Sequence, residues 1–127
     1  MDSCLVVLVV EDEALVRSQI ASEFRRAGWD VLEAGTGERA IALLDEHGDQ
    51  IDVIFTDINL GGCVTGWDVA DAFRATYPRK RIVYASGNSV DPRRVLSDTQ
   101  FLRKPYRGPA VLEACAFSRS YAAEGGT

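Results

Sequence analysis

The sequence predicts an α/β protein, a doubly wound parallel sheet of five strands with helices on both faces. Apolar, β-branched runs of strand length alternate five times with stretches of helical periodicity along the chain. The first run, "CLVVLVV", is continuously apolar, as strands covered on both faces are. Length agrees, because 127 residues suffice for one domain with a real core and are too few for two ordinary ones.

Taken in order, "CLVVLVV" is the first strand. Val16, Ile20, Phe24 and Ala27 then recur at helical spacing, and Gly28 offers a C-terminal stop. "WDVLEA" alternates like an edge strand. Thr36 is placed to N-cap a second helix with Ala40, Ile41 and Leu44 on its inner face, ending near Gly48. "IDVIFT" is the third strand. Val69, Ala70, Phe73 and Tyr77 mark the next helix, stopped by Pro78, and "RIVYA" is the fourth strand. From Val90 to Ser97 helical character is weak. "QFLR" is a short fifth strand, and Pro109 suits the first turn of a last helix carrying Val111, Leu112, Ala114 and Cys115. The expected domain covers residues 1–119, with 120–127 a disordered tail.

Composition excludes several functions. The net charge is −5, and fourteen Lys and Arg are scattered among nineteen acids without a basic run, which argues against nucleic-acid binding. Cys4, Cys63 and Cys115 lack CxxC spacing, so they read as reduced packing residues in a cytoplasmic protein. "CLVVLVV" is too short to span a bilayer, lacks a positive flank and runs straight into "EDE".

In open sheets of this kind ligands sit outside the carboxyl ends of the strands. Glu11 and Asp12 end the first strand, Asp57 the third and Ser86 the fourth, while Lys104 follows the fifth. Crowded carboxylates repel, and a hard cation with oxygen ligands relieves them. Magnesium suits a small open cluster, because it keeps several waters and takes one or two carboxylates together with phosphate oxygens. Lys104 then supplies a charge and Ser86 a hydroxyl for an anion. Asp57 can act as nucleophile towards a phosphoryl group, forming an acyl phosphate.

The acid pair in "VVEDE", the Asp in "FTDINL", the hydroxyl in "YASG" and the Lys-Pro of "LRKPY" together resemble the receiver domains of bacterial two-component response regulators. The resemblance covers nearly the whole chain. It implies a flavodoxin-like strand order 2-1-3-4-5, with Asp57 as phosphoacceptor. It also implies magnesium, replaceable by manganese, on Asp12, Asp57 and the Asn59 carbonyl, with Glu11 acting largely through a water. Lys104 and Ser86 would touch the phosphoryl group, and the Lys104–Pro105 peptide would be cis. Ser86 and Phe101 would form the switch, and Asn59 and Asn88 would tune hydrolysis. The implied partners are a sensor histidine kinase or a histidine phosphotransfer protein, plus a downstream protein target. Such a chain is not an enzyme beyond its own phosphotransfer and autodephosphorylation.

Blander readings compete at single positions. Asp12 alone could be a helix N-cap, Ser86 a turn former and Phe101 core packing. His47, the single histidine, falls near a predicted helix end and reads as a favourable C-terminal residue; Trp29 and Trp67 read as structural. The chain also departs from the family pattern. "DINLGGCVTGWD" lacks the usual Met-Pro pair and carries Gly61 and Gly62, which predict a mobile loop. Between Ser86 and Lys104 it is about one helical turn short, and Pro92 interrupts it, so the fourth helix should be short or irregular. That favours a partner-binding face over the usual symmetric dimer. The competing functions are an Asp-nucleophile phosphatase, a nucleotide or flavin module, a phosphorylation-independent adaptor, and a receiver excised from a longer regulator. Asn59 stands where the phosphatase needs its second acid, and the acidic first loop lacks a phosphate-cradling Gly-rich turn. A stand-alone phosphoacceptor receiver is therefore the preferred expectation.

Overall fold

The computed structural model describes residues 5–86, 99–103 and 108–115. Five strands form one parallel sheet: β1 Val6–Val10, β2 Asp30–Ala34, β3 Val53–Asp57, β4 Arg81–Ser86 and β5 Thr99–Arg103. Their spatial order is β2-β1-β3-β4-β5, so the chain reverses direction across the sheet between β1 and β3. The helices are α1 Ala14–Arg26, α2 Gly37–His47 and α3 Gly66–Thr76, and residues 108–115 are also helical. The sequence expectations for the weak helix after Ser86, the short fourth helix, Cys4 and the tail fall outside the described residues.

The continuous apolar runs are explained by what covers each face. Along β1, β3 and β4, alternate side chains enter opposite cores, as the period of two requires. Leu8, Val10, Ile54, Ile82 and Tyr84 pack with Ala40, Leu43, Val69, Ala70 and Phe73 of α2 and α3. Val7, Val9, Val53, Phe55, Val83 and Ala85 pack with Ile20 and Phe24 of α1 and with Val111, Ala114 and Cys115. Burial pushes the Cys115 thiol up to about 12, so it is an inert packing group. Cys63 departs from that expectation: it is exposed, following the exposed Gly61 and Gly62 in the loop after β3.

Local chemistry sets the helix ends. Gly28, at φ +95°, accepts a left-handed conformation that a Cβ would strain. There the N–H groups of Gly28 and Trp29 donate to the carbonyls of Arg25 and Phe24, both at 3.0 Å, and the Trp29 ring packs edge-on against Phe24 at 5.0 Å. The chain thus turns directly into β2. Thr36 caps α2 as expected, accepting from the Arg39 N–H at 3.0 Å. The inner face of α2 is shifted by one residue: Gly37, Ala40 and Leu43 are buried, while Ile41 and Leu44 flank them half-buried. The cause is Gly37, which lies directly against Val64 and so turns that line of the helix inward.

Candidate functional site

Both strands on either side of the reversal end in acid. Glu11 follows β1 with only 1% of its surface exposed, and Asp57, the last residue of β3, is 4% exposed. Asp12 is exposed beside them. One carboxylate oxygen from each of Glu11, Asp12 and Asp57 lies within 4.8 Å of the others, a spacing that fits a single metal ion. At that spacing two buried carboxylates repel by roughly 3 kcal/mol or more, at an effective dielectric constant near 20. A hard divalent cation among them removes the repulsion, so the donor set suits magnesium.

The backbone around Asp57 is tightly held. The Ile58 N–H donates to the Ala85 carbonyl at 3.0 Å, continuing the β3–β4 ladder past Asp57. The Asn59 N–H donates to Asp57 Oδ1 at 3.3 Å, which turns the chain away from the strand. Gly66 donates from its N–H to the Ile58 carbonyl at 2.8 Å, closing the base of the loop. A Cβ at Gly66 would stand 2.2 Å from the Asp57 carbonyl oxygen, so the start of α3 must be glycine. The following turn is fixed by a capping box, in which Thr65 and Asp68 exchange hydrogen bonds of 2.9 and 3.2 Å. Between these anchors the loop buries Ile58 and Leu60 and packs Val64 on the core, a hold that its glycines mask in the sequence.

The structure therefore gathers three of the sequence-predicted residues, Glu11, Asp12 and Asp57, and sets Asn59 two residues beyond Asp57 with an exposed side chain. Ser86 closes β4 and Phe101 lies in β5 opposite Tyr84; for both, the description extends to the backbone alone. Lys104, Pro105 and Asn88 lie outside the described residues. Trp67 opens α3 and packs on Tyr84 with ring centroids 4.6 Å apart, which makes it structural. Sequence reasoning missed Arg17, whose Nη1 donates to the Glu11 carbonyl at 2.9 Å, and Gly66. The "TGWD" capping pattern was the available signal for Gly66.

An acid cluster at the carboxyl edge of a parallel sheet with order 2-1-3-4-5, at the switch in strand order, defines an open α/β domain of flavodoxin-like topology with a candidate metal site on its ligand-binding rim. The response regulator receiver domain family matches residues 7–115, and the chain belongs to that family. It is 30% identical over 104 residues to the sensor kinase CckA of Brucella abortus, covering 79% of this chain and 11% of that one. A response regulator receiver protein from Sinorhizobium medicae superimposes with a TM-score of 0.87 at 28% identity, over 94% of this chain and 98% of that one. The receiver domain of the hybrid histidine kinase CckA gives 0.77 at 28% identity, over 89% and 97% of the two chains. The chain spans between 11% and 26% of the length of the curated relatives it matches. Among the described residues, no helix is long and apolar enough to cross a membrane.

Proposed function

We propose that this receiver accepts a phosphoryl group on Asp57 and passes the signal on by a change in partner binding. The observation that carries it is the meeting of Glu11, Asp12 and Asp57 within 4.8 Å at the strand ends, where a nucleophilic carboxylate and its metal-holding neighbours are needed together. In the reaction an Asp57 carboxylate oxygen attacks phosphorus while the P–N bond of a phosphohistidine breaks. The imidazole leaves and takes up a proton, and an aspartyl phosphate remains. The Asn59 N–H at 3.3 Å and the closed loop base orient the carboxylate for in-line attack. Asp12 and Asp57 would hold magnesium, with the Asn59 carbonyl as a further ligand and Glu11 acting through a water. The bound ion supplies charge neutralisation on the transferring oxygens.

Lys104 and Ser86 would contact the phosphoryl group in this reading, with Ser86 and Phe101 as the switch pair. The phosphodonor is a sensor histidine kinase or a histidine phosphotransfer protein, and the working compartment is the cytoplasm. The chain is not an enzyme with an external turnover cycle. The same chemistry serves a receiver that stands alone and one that is part of a longer regulator. The test is intact-mass spectrometry after incubation with acetyl phosphate, with and without magnesium. Wild type should gain one magnesium-dependent phosphoryl group and Asp57→Asn none. Equal labelling of the two would refute the assignment, and no labelling of either would favour the phosphorylation-independent adaptor.

A further inference from the structure

Arg17 stands one side chain removed from the acid cluster. Its Nη1 donates to the Glu11 carbonyl at 2.9 Å, and its Nε lies 3.4 Å from Glu33 Oε1 on β2. Glu33 is held in turn by Arg25 at 3.1 Å. The Glu11 N–H donates to the Ala34 carbonyl at 3.1 Å, so both backbone groups of Glu11 are tied to β2, one directly and one through Arg17. Glu11 Oε2 accepts from the Glu13 N–H at 3.2 Å, which closes the turn that carries Asp12.

Gly35 shows what the guanidinium requires. Among the described residues only Gly28 and Gly61 have positive φ, so the backbone at Gly35 does not call for glycine. A Cβ there would stand 2.8 Å from Arg17 Nη1, and its three nearest atoms would all belong to that guanidinium. The space that a side chain at residue 35 would fill is occupied by Arg17.

We propose that Arg17, seated over Gly35, is a positioning residue for the metal-binding acids. By clamping the Glu11 carbonyl to β2 it sets the direction of the Glu11 and Asp12 carboxylates, and with it the affinity for magnesium. The proposal rests on the reading of Glu11, Asp12 and Asp57 as a magnesium site. Losing an outer partner of a metal ligand typically weakens binding 10- to 100-fold, and Arg17 acts through the backbone of one ligand, so about tenfold is expected.

The experiment titrates wild type, Arg17→Ala, Arg17→Lys, Gly35→Ala and the Arg17→Ala/Gly35→Ala double variant with Mg2+ alone. Binding is followed by the amide NMR shifts of residues 11–13 and 57–59. Thermal midpoints are recorded without metal, and acetyl phosphate labelling is measured against Mg2+ concentration. Arg17→Ala and Gly35→Ala should each weaken Mg2+ binding about tenfold. The double variant should be no weaker than either single one, because both remove the same contact. Arg17→Lys should recover part of the affinity, since an ammonium reaches one acceptor without bridging two in a fixed fork. Gly35→Ala should keep or raise the thermal midpoint, because the atom it displaces ends a flexible side chain and alanine restricts the unfolded chain. In labelling, the half-maximal Mg2+ concentration should rise more than the saturating rate falls.

Wild-type Mg2+ affinity in both single variants, or affinity falling only in step with the thermal midpoint, would overturn the proposal. If Arg17→Ala does not fold, Gly35→Ala decides by itself. Absence of Mg2+ binding to wild type would overturn the magnesium site and this proposal together. A tenfold change in binding without any phosphoryl adduct would instead support the positioning role and overturn the phosphoacceptor reading.

Discussion

Asp57 owes its place to two contacts made by its own backbone. Its carbonyl accepts from the Thr56 hydroxyl at 2.9 Å and is covered by Gly66, with no room for a side chain between them. Gly66→Ala should therefore force Asp57 or α3 to move, costing about 1–3 kcal/mol in urea unfolding and lowering the acetyl phosphate labelling rate at equal magnesium. Wild-type stability and labelling together would show that the loop yields freely. At this scale the acids were legible in the sequence, because carboxylates close two apolar, β-branched runs while Ser86 and Lys104 fall on the same rim, a combination that a helix N-cap alone does not explain. Arg17 and Gly35 were not legible. Their contacts join segments whose spacing depends on strand order and helix tilt, and no local pattern encodes either. Leu43 was missed for a related reason: the phase of the α2 stripe is set by the contact of Gly37 with Val64, not by the leucines themselves.

At the scale of elements, the ends of the helices and strands carry most of the specific chemistry. The α1 end was readable from Gly28, and the α2 start from Thr36, because both follow local rules. The opposite edge of the sheet is held by Lys80, which the sequence did not single out. Its Nζ donates to the carbonyls of Gly48, Asp49 and Ile51 at 3.2, 2.9 and 2.6 Å and lies 4.5 Å from the centre of the Tyr77 ring. Burial holds its amine below the usual lysine range, while Asp52 and Asp49 draw it back up. One lysine after α3 thus ties down the turn that launches β3. Lys80→Met keeps the stem packing and removes the donor, so it should lower unfolding free energy by about 1–2 kcal/mol, read as a lower urea midpoint with an unchanged slope. An unchanged midpoint would mean that water serves those carbonyls equally well.

For the whole molecule, function follows from where the strand order reverses. Helices on both faces bury β3 and all of β1 except Val6, and the reversal between them leaves their carboxyl ends side by side, so acids distant in sequence meet. The parallel α/β class was legible from the alternation of strands and helices, and the strand order from the family resemblance; the five strands in the order 2-1-3-4-5 and the helices between β1 and β4 bear both out among the described residues. The switch and phosphate-contact assignments at Ser86, Phe101 and Lys104 remain part of the proposal, to be tested by the chemistry itself. The most direct measurement is to label the protein with acetyl phosphate and magnesium, reduce it at once with borohydride, and map the product by tandem mass spectrometry. Reduction converts an aspartyl phosphate to homoserine. Homoserine at residue 57 alone is the predicted result; homoserine at Asp12 or elsewhere, with none at residue 57, would contradict the account.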